Sequence, residues 1–310
     1  MTPPKIVVLG TGGTLAGSAA NAADNLGYQA GQIGIAQLLA GIPGLRDLPL
    51  ATEDVARIDS KDMGFEVWRS LALRCAHWLA QDDVAGIVVG HGTDTLEETA
   101  FFLHSVLGPA KPVVVTCAMR PASALAPDGP QNLVDAIAVA ATAGARGVVA
   151  VCAGTVHAAL DVAKQHTYRL DAFTSGDAGP IGYVEERRVR LVRPWPGEER
   201  LPAVLERLPA VVRWPRVEIV TSHAGASGAV VEALVAQGVD GLVVAATGNG
   251  TVHHELETAL LAARERGVRV LRASRCAQGL VQSTAHDWLP HAGGLSPVKA
   301  RIVLLLELLP

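Results

Sequence analysis

The sequence predicts an α/β protein: a large N-terminal domain with a mostly parallel sheet flanked by helices, followed by a smaller C-terminal α/β domain. Apolar β-branched runs of strand length alternate with longer stretches of helical period along most of the chain. Several of those runs are apolar at every position, among them Ile87-Val88-Val89 and Val113-Val114-Val115, which suits strands covered by helices on both faces. The length of 310 residues exceeds a single domain of roughly 150 and favours two.

The expected elements begin with a strand over 5–10, a helix over 34–42 and a strand over 55–60. Phe65, Trp68, Ala72, Cys75 and Leu79 then fall on one helical face. A strand over 86–91 and a helix over 96–107 follow, then a strand over 112–117. The next helix opens with Asp128 as its N-cap and Pro130 in its first turn, and leads to a strand over 147–153. Pro194, Pro196, Pro202 and Pro209 interrupt any regular pairing, so residues 1–190 are read as the N-terminal domain, 191–213 as a linker and 214–310 as the C-terminal domain. In the last of these, strands over 217–221, 241–246 and 268–273 alternate with helices over 228–237, 254–266 and 297–309.

Charge and composition exclude several classes of function. The net charge of -4 comes without a cluster of Lys and Arg that could neutralise a run of phosphates, so nucleic acid is not an expected partner. No apolar run approaches the roughly 18 residues that span a bilayer, so no membrane partner is expected either. The first residues lead directly into the short apolar stretch 6–9, without a long apolar segment or a small-residue cleavage site. A cytoplasmic location is therefore expected, with the periplasm as the alternative for a trimmed chain. Cys75, Cys117, Cys152 and Cys276 lack the spacing of metal or redox pairs and are read as buried free thiols. No metal or cofactor is expected, and His253-His254 reads as a solvated helix start.

Ligands of an open parallel sheet bind beyond the carboxyl ends of its strands. Those ends read Gly10-Thr-Gly-Gly-Thr14, Asp59-Ser-Lys-Asp62, His91-Gly-Thr-Asp-Thr95 and Met119-Arg-Pro121 in the first domain, and Thr221-Ser-His223 and Thr247-Gly-Asn-Gly250 in the second. Small hydroxyl residues, glycines and a carboxylate describe an amino-acid-sized polar site. A dinucleotide fingerprint fails because Leu15 stands where its third glycine belongs, which argues against an oxidoreductase. No Gly-x-Ser-x-Gly nucleophile elbow is present.

Gly10-Thr-Gly-Gly-Thr14-Leu-Ala-Gly17 and His91-Gly-Thr93-Asp94-Thr-Leu-Glu-Glu98 resemble the two signature motifs of the bacterial L-asparaginase family. Further matches at Ser60-Lys-Asp-Met63, Ala118-Met-Arg-Pro121, Asp161-Val-Ala-Lys164, Gly179-Pro-Ile-Gly182 and Ser296-Pro-Val-Lys-Ala-Arg301 carry the resemblance from end to end. Ala118-Met-Arg-Pro121 is similar to the type II branch, whereas the start of the chain is similar to type I. The implied activity is hydrolysis of L-asparagine to L-aspartate and ammonia through a threonine acyl-enzyme. A glutaminase-asparaginase of mixed specificity and a catalytically silent amino-acid-binding protein stand as alternatives.

The resemblance makes Thr14 the residue acylated and Tyr28, on a lid over 21–31, its proton acceptor. It sets Thr93, Asp94 and Lys164 against the same substrate. A neutral lysine beside a carboxylate would require roughly 4 kcal/mol of desolvation. Lys164 is therefore read as orienting Thr93, Thr93 as positioning the deacylating water, and Asp94 as the ionised acceptor of the substrate ammonium. Ser60 is expected to hold the substrate carboxylate and Ala118 to contact substrate. Asn249 is expected to reach a neighbouring subunit's site in a homotetramer built as a dimer of intimate dimers. Two departures stand out. Lys61 replaces the glutamine usual in relatives, and Thr284-Ala-His-Asp287 lacks the acidic residue that relatives bring across the interface, which predicts weak asparagine binding unless Asp287 substitutes.

Overall fold

A computed structural model of the chain describes residues 4–197, 201, 203–284 and 288–310. The chain divides into two compact units, Met1–Arg200 and Leu201–Pro310.

The first unit contains β1 (Lys5–Gly12), α1 (Ile35–Ala40), β2 (Leu50–Ile58), α2 (Phe65–Leu79), β3 (Val84–Gly90), α3 (Leu96–Leu107), β4 (Val113–Thr116), α4 (Gly129–Ala140) and β5 (Val148–Cys152). Five short strands follow: β6 (Thr155–Ala158), β7 (Ala163–Lys164), β8 (Phe173–Thr174), β9 (Gly182–Glu185) and β10 (Arg188–Leu191). Among the described residues they form an eight-stranded sheet, ordered β10-β9-β6-β5-β4-β3-β1-β2, and a separate β7-β8 pair. The strands from β2 to β5 are mutually parallel, whereas β6, β9 and β10 continue the sheet through antiparallel pairings. The central β4 and β5 are buried at every residue, as their uninterrupted apolar sequences require. Edge strand β2 alternates and carries Glu53, Asp54 and Arg57, and so extends five residues earlier than its apolar part indicates.

The order β2-β1-β3 places the reversal of winding at β1, so the crevice between the carboxyl ends of β1 and β3 is where such a sheet receives a ligand. The β6–β10 extension is absent from the expected element series for a local reason. Its turns at Ala153-Gly154 and Glu186-Arg187 each hold two successive residues at positive φ, which matches the twist of two-residue hairpins. Three of those four residues are not the Gly, Asn or Asp that would announce such a turn.

The second unit contains α5 (Val204–Arg207), β11 (Val217–Thr221), α6 (Ala229–Ala236), β12 (Gly241–Ala246), α7 (His254–Glu265), β13 (Arg269–Ser274) and α8 (Pro297–Glu307). Its three strands form a parallel sheet ordered β11-β12-β13. Leu242, Val244, Leu256 and Leu260 are among the residues of its core. Within the stretch expected as linker, residues 204–210 form an α-helical turn followed by a 3-10 turn. Cys75, Cys117 and Cys152 are buried, but Cys276 is exposed, because it follows the end of β13 rather than lying inside an apolar element. No helix among the described residues is long and apolar enough to cross a membrane, and no three described His, Cys, Asp or Glu side chains are grouped to hold a metal ion.

Candidate active site

At the end of β1 the chain turns through two glycines at which any Cβ would collide with neighbouring backbone. Gly12 and Gly13 lie at φ of 100° and 75°, and a Cβ on Gly13 would stand 2.3 Å from Gly92 Cα and 2.4 Å from its nitrogen. The backbone loops that follow β1 and β3 are thus in direct contact, which brings the segments carrying Thr14 and Thr93 together. A Cβ on Gly92 would in turn lie 2.4 Å from Ser60 Oγ, so the loop after β2 joins the same point.

Thr14 opens a 3-10 turn and is buried. Its Oγ1 lies 2.5 Å from the Tyr28 hydroxyl. Tyr28 arrives on a segment closed by a two-way backbone bridge between Ser18 and Gln29, inside the stretch read as a lid. A Cβ on Gly17 would lie 2.7 Å from Tyr28 Cδ2, so the glycine admits the ring. The base of this segment is fastened to the loop after β4: Ala19 N–H donates to Ser123 Oγ at 2.8 Å, Ala122 N–H to Gly17 O and Leu125 N–H to Ala22 O. That loop is held by Asp128. The sequence suggested this carboxylate as the N-cap of α4, but it makes no capping bond there. It accepts instead the N–H groups of Met119 and Arg120, both at 2.9 Å, where two donors converge on one charged acceptor.

The second cluster forms at the start of α3. Lys164 Nζ donates to Thr93 Oγ1 at 2.8 Å and to Asp94 Oδ1 at 2.6 Å. Ser60 Oγ accepts the Asp94 N–H at 3.2 Å, and Thr95 Oγ1 donates to Ser60 O at 2.7 Å. Ala118, buried at the end of β4, packs beside Leu15 against Gly129. Thr14, Ser60, Thr93, Asp94 and Ala118 therefore follow the ends of adjoining strands, and Tyr28 and Lys164 reach Thr14 and Thr93 from the 18–29 segment and from β7. Lys61 does not point its cation into this cluster. It bonds Asp59 at 2.8 Å and pairs with Asp62 at 3.3 Å on an exposed surface.

Asn249 belongs to the second unit, at an exposed turn. Both ends of its amide engage its own chain: Nδ2 donates to Gln282 O at 3.0 Å and Oδ1 accepts Gln282 N–H at 2.7 Å. His286 and Asp287, on which the expected loss of an interface carboxylate rests, lie outside the described residues.

A supporting chain of bonds beneath Thr93 is not evident from residue spacing. Trp68 Nε1 donates to Thr99 Oγ1 at 2.8 Å, Thr99 Oγ1 lies 2.9 Å from His91 Nε2, and His91 Nδ1 lies 2.7 Å from Gly92 O. Since a carbonyl only accepts, Nδ1 carries the proton, and with the ring neutral through burial Nε2 receives the Thr99 hydroxyl. Burial lowers its pKa to about 4. Burial, assisted by Arg193, does the same for His157, also to about 4.

Both histidines bind protons more readily unfolded than folded. Their contribution is therefore complete above their ordinary value of 6.5 and is lost as pH falls toward 4. Urea midpoints measured from pH 7 to 4.5 should drop by an amount equivalent to about 2 to 3 kcal/mol for each histidine. The carboxylates held low by hydrogen bonds, such as Glu53 with Arg74, act below this window. A flat profile down to pH 4.5 would show that neither histidine is held neutral.

The family described as Asparaginase, N-terminal, matches residues 5–196, and the Glutaminase/Asparaginase C-terminal domain matches residues 216–309. The glutaminase-asparaginase of Pseudomonas fluorescens biotype A is 37% identical over 98% of this chain and 86% of its own length. L-asparaginase 2 of Escherichia coli (strain K12) is 36% identical over 98% of this chain and 89% of its own. A crystal structure of a probable cytoplasmic L-asparaginase from Campylobacter jejuni matches with a TM-score of 0.91 at 35% identity, covering 98% of this chain and 95% of that one.

Proposed function

The chain belongs to the asparaginase family, and from that premise we propose that it hydrolyses the side-chain amide of L-asparagine to L-aspartate and ammonia, with Thr14 as the residue acylated. The observation that carries this reading is the presence of two threonine hydroxyls on touching loops, each with its own partner: Tyr28 for Thr14 and Lys164 for Thr93. Threonine is a weak nucleophile until an adjacent group takes its proton. Thr14 Oγ1 attacks the amide carbon, its proton passes to Tyr28 and on to the departing ammonia, and an ester to Thr14 remains. Water positioned by Thr93 then cleaves that ester, releasing aspartate and restoring the hydroxyl. Lys164 orients Thr93. Asp94 accepts the substrate ammonium in a charge-assisted bond of about 1.5 to 3 kcal/mol. Ser60 Oγ accepts the Asp94 N–H and turns its own proton to the substrate carboxylate, and Ala118 lines the same site.

A silent amino-acid-binding protein would have no use for paired hydroxyls and proton partners. Mixed glutaminase-asparaginase activity is the second reading, favoured by the name of the Pseudomonas relative. One methylene changes binding by only about 1 to 3 kcal/mol in a pocket. The proposal extends to a cytoplasmic homotetramer, built as a dimer of intimate dimers in which the Asn249 turn serves a neighbour's site. With its amide committed to Gln282, Asn249 would act there by shaping that turn.

Ammonia release measured side by side on asparagine and glutamine tests the activity. Asparagine should be preferred at least about tenfold in kcat/KM. Equal rates would establish the mixed reading, and no release from either would refute hydrolysis. Sedimentation at assay concentration tests the assembly, and full activity in a monomer would contradict it.

A further inference from the structure

We propose that Glu97 is a positioning residue for the second cluster, fixing where Lys164 meets Thr93; this rests on the proposed role of Lys164. Lys164 sits on β7, which pairs with β8 over two residues only. A two-residue ladder holds its strand weakly. The backbone N–H of Lys164 donates to Glu97 Oε2 at 3.0 Å, across 67 residues of chain. Glu97 stands in the first turn of α3, where an acid ordinarily complements the helix N-terminus. Here one of its oxygens is committed to another segment.

Lys164 is thereby attached at both ends to the 93–97 segment. Its main-chain nitrogen is bound by Glu97, and its side-chain nitrogen by Thr93 and Asp94. A lysine side chain has about 2 kcal/mol of rotamer entropy along its stem. Fixing the main-chain end limits the conformations from which Nζ reaches Thr93 Oγ1. Without that anchor the Lys164 N–H loses its acceptor, and β7 is free to shift against α3. A displacement of about 1 Å in a catalytic group costs on the order of a hundredfold in rate.

The test is steady-state kinetics on asparagine for Glu97→Gln, Glu97→Ala and Glu97→Asp, with Lys164→Met as reference. Glutamine keeps an oxygen that can accept the N–H, so kcat should stay within about threefold of wild type. Alanine removes the acceptor and aspartate withdraws it by one methylene, so both should lower kcat by about ten- to a hundredfold with KM within about threefold. In Glu97→Ala/Lys164→Met the two losses should not add, because both act through Lys164. The inference is overturned if Glu97→Ala or Glu97→Asp keeps normal kcat, if Glu97→Gln falls with them, or if the double variant shows additive losses. Should Glu97→Ala fail to fold, the contrast of Asp with Gln decides alone. Near-normal turnover in Lys164→Met would instead defeat the underlying role of lysine, whatever the Glu97 variants do.

Discussion

Thr14→Val should yield a folded protein whose asparagine turnover is at least about a thousandfold below wild type, and Thr93→Val should lose steady-state turnover to a similar extent. Both residues are buried, and valine reproduces the shape of threonine while removing the oxygen. In Thr14→Val the Tyr28 hydroxyl loses its 2.5 Å partner, and in Thr93→Val Lys164 loses its 2.8 Å acceptor but keeps Asp94. Each such loss costs about 1 kcal/mol of stability, too little to unfold a domain. The defect should therefore appear in kcat with the far-ultraviolet circular dichroism unchanged. Turnover within about tenfold of wild type in either variant would remove that hydroxyl from the mechanism.

Lys164→Met should lower kcat by at least about a hundredfold while leaving KM within severalfold. Methionine preserves most of the stem and deletes the cation, so Thr93 is no longer oriented and Asp94 is released from its 2.6 Å pair. Asp94 has half its side chain exposed, so solvation replaces the lysine and the stability change stays within about 1 kcal/mol. The freed carboxylate remains able to accept the substrate ammonium, which is why KM should hold. A large rise in KM with normal kcat would instead make Lys164 a binding residue.

The parallel strands and their helices were legible because an apolar run such as Val113–Thr116 is buried at every residue and leaves its mark at every position. The antiparallel extension was not, since Ala153, Glu186 and Arg187 adopt positive φ without the side chains that usually mark it. At the site, strand ends directed attention to Thr14, Ser60 and Thr93, and the motifs supplied their partners. Spacing could not show which distant groups a polar side chain would meet. Asp128 looked like a helix cap and instead holds Met119 and Arg120. Glu97 stood unremarked within the second motif, and the structure shows it holding the Lys164 N–H. His91 lay within a motif, but its neutrality follows from its complete burial beside Thr99, which spacing does not show. Asn249 was expected to reach a neighbouring subunit's site, and spacing gave no sign that its amide bonds Gln282 of its own chain.

The central claim, that the Thr14 hydroxyl becomes acylated, is tested most directly by acid-quenching Thr93→Val after mixing with asparagine and mapping its peptides by mass spectrometry. With deacylation disabled, the ester should accumulate alongside about one ammonia released per site. The peptide carrying Thr14 should gain the mass of asparagine less ammonia, and Thr14→Val/Thr93→Val should show neither adduct nor burst. An adduct on any other residue, or ammonia release without an adduct on Thr14, would contradict the assignment.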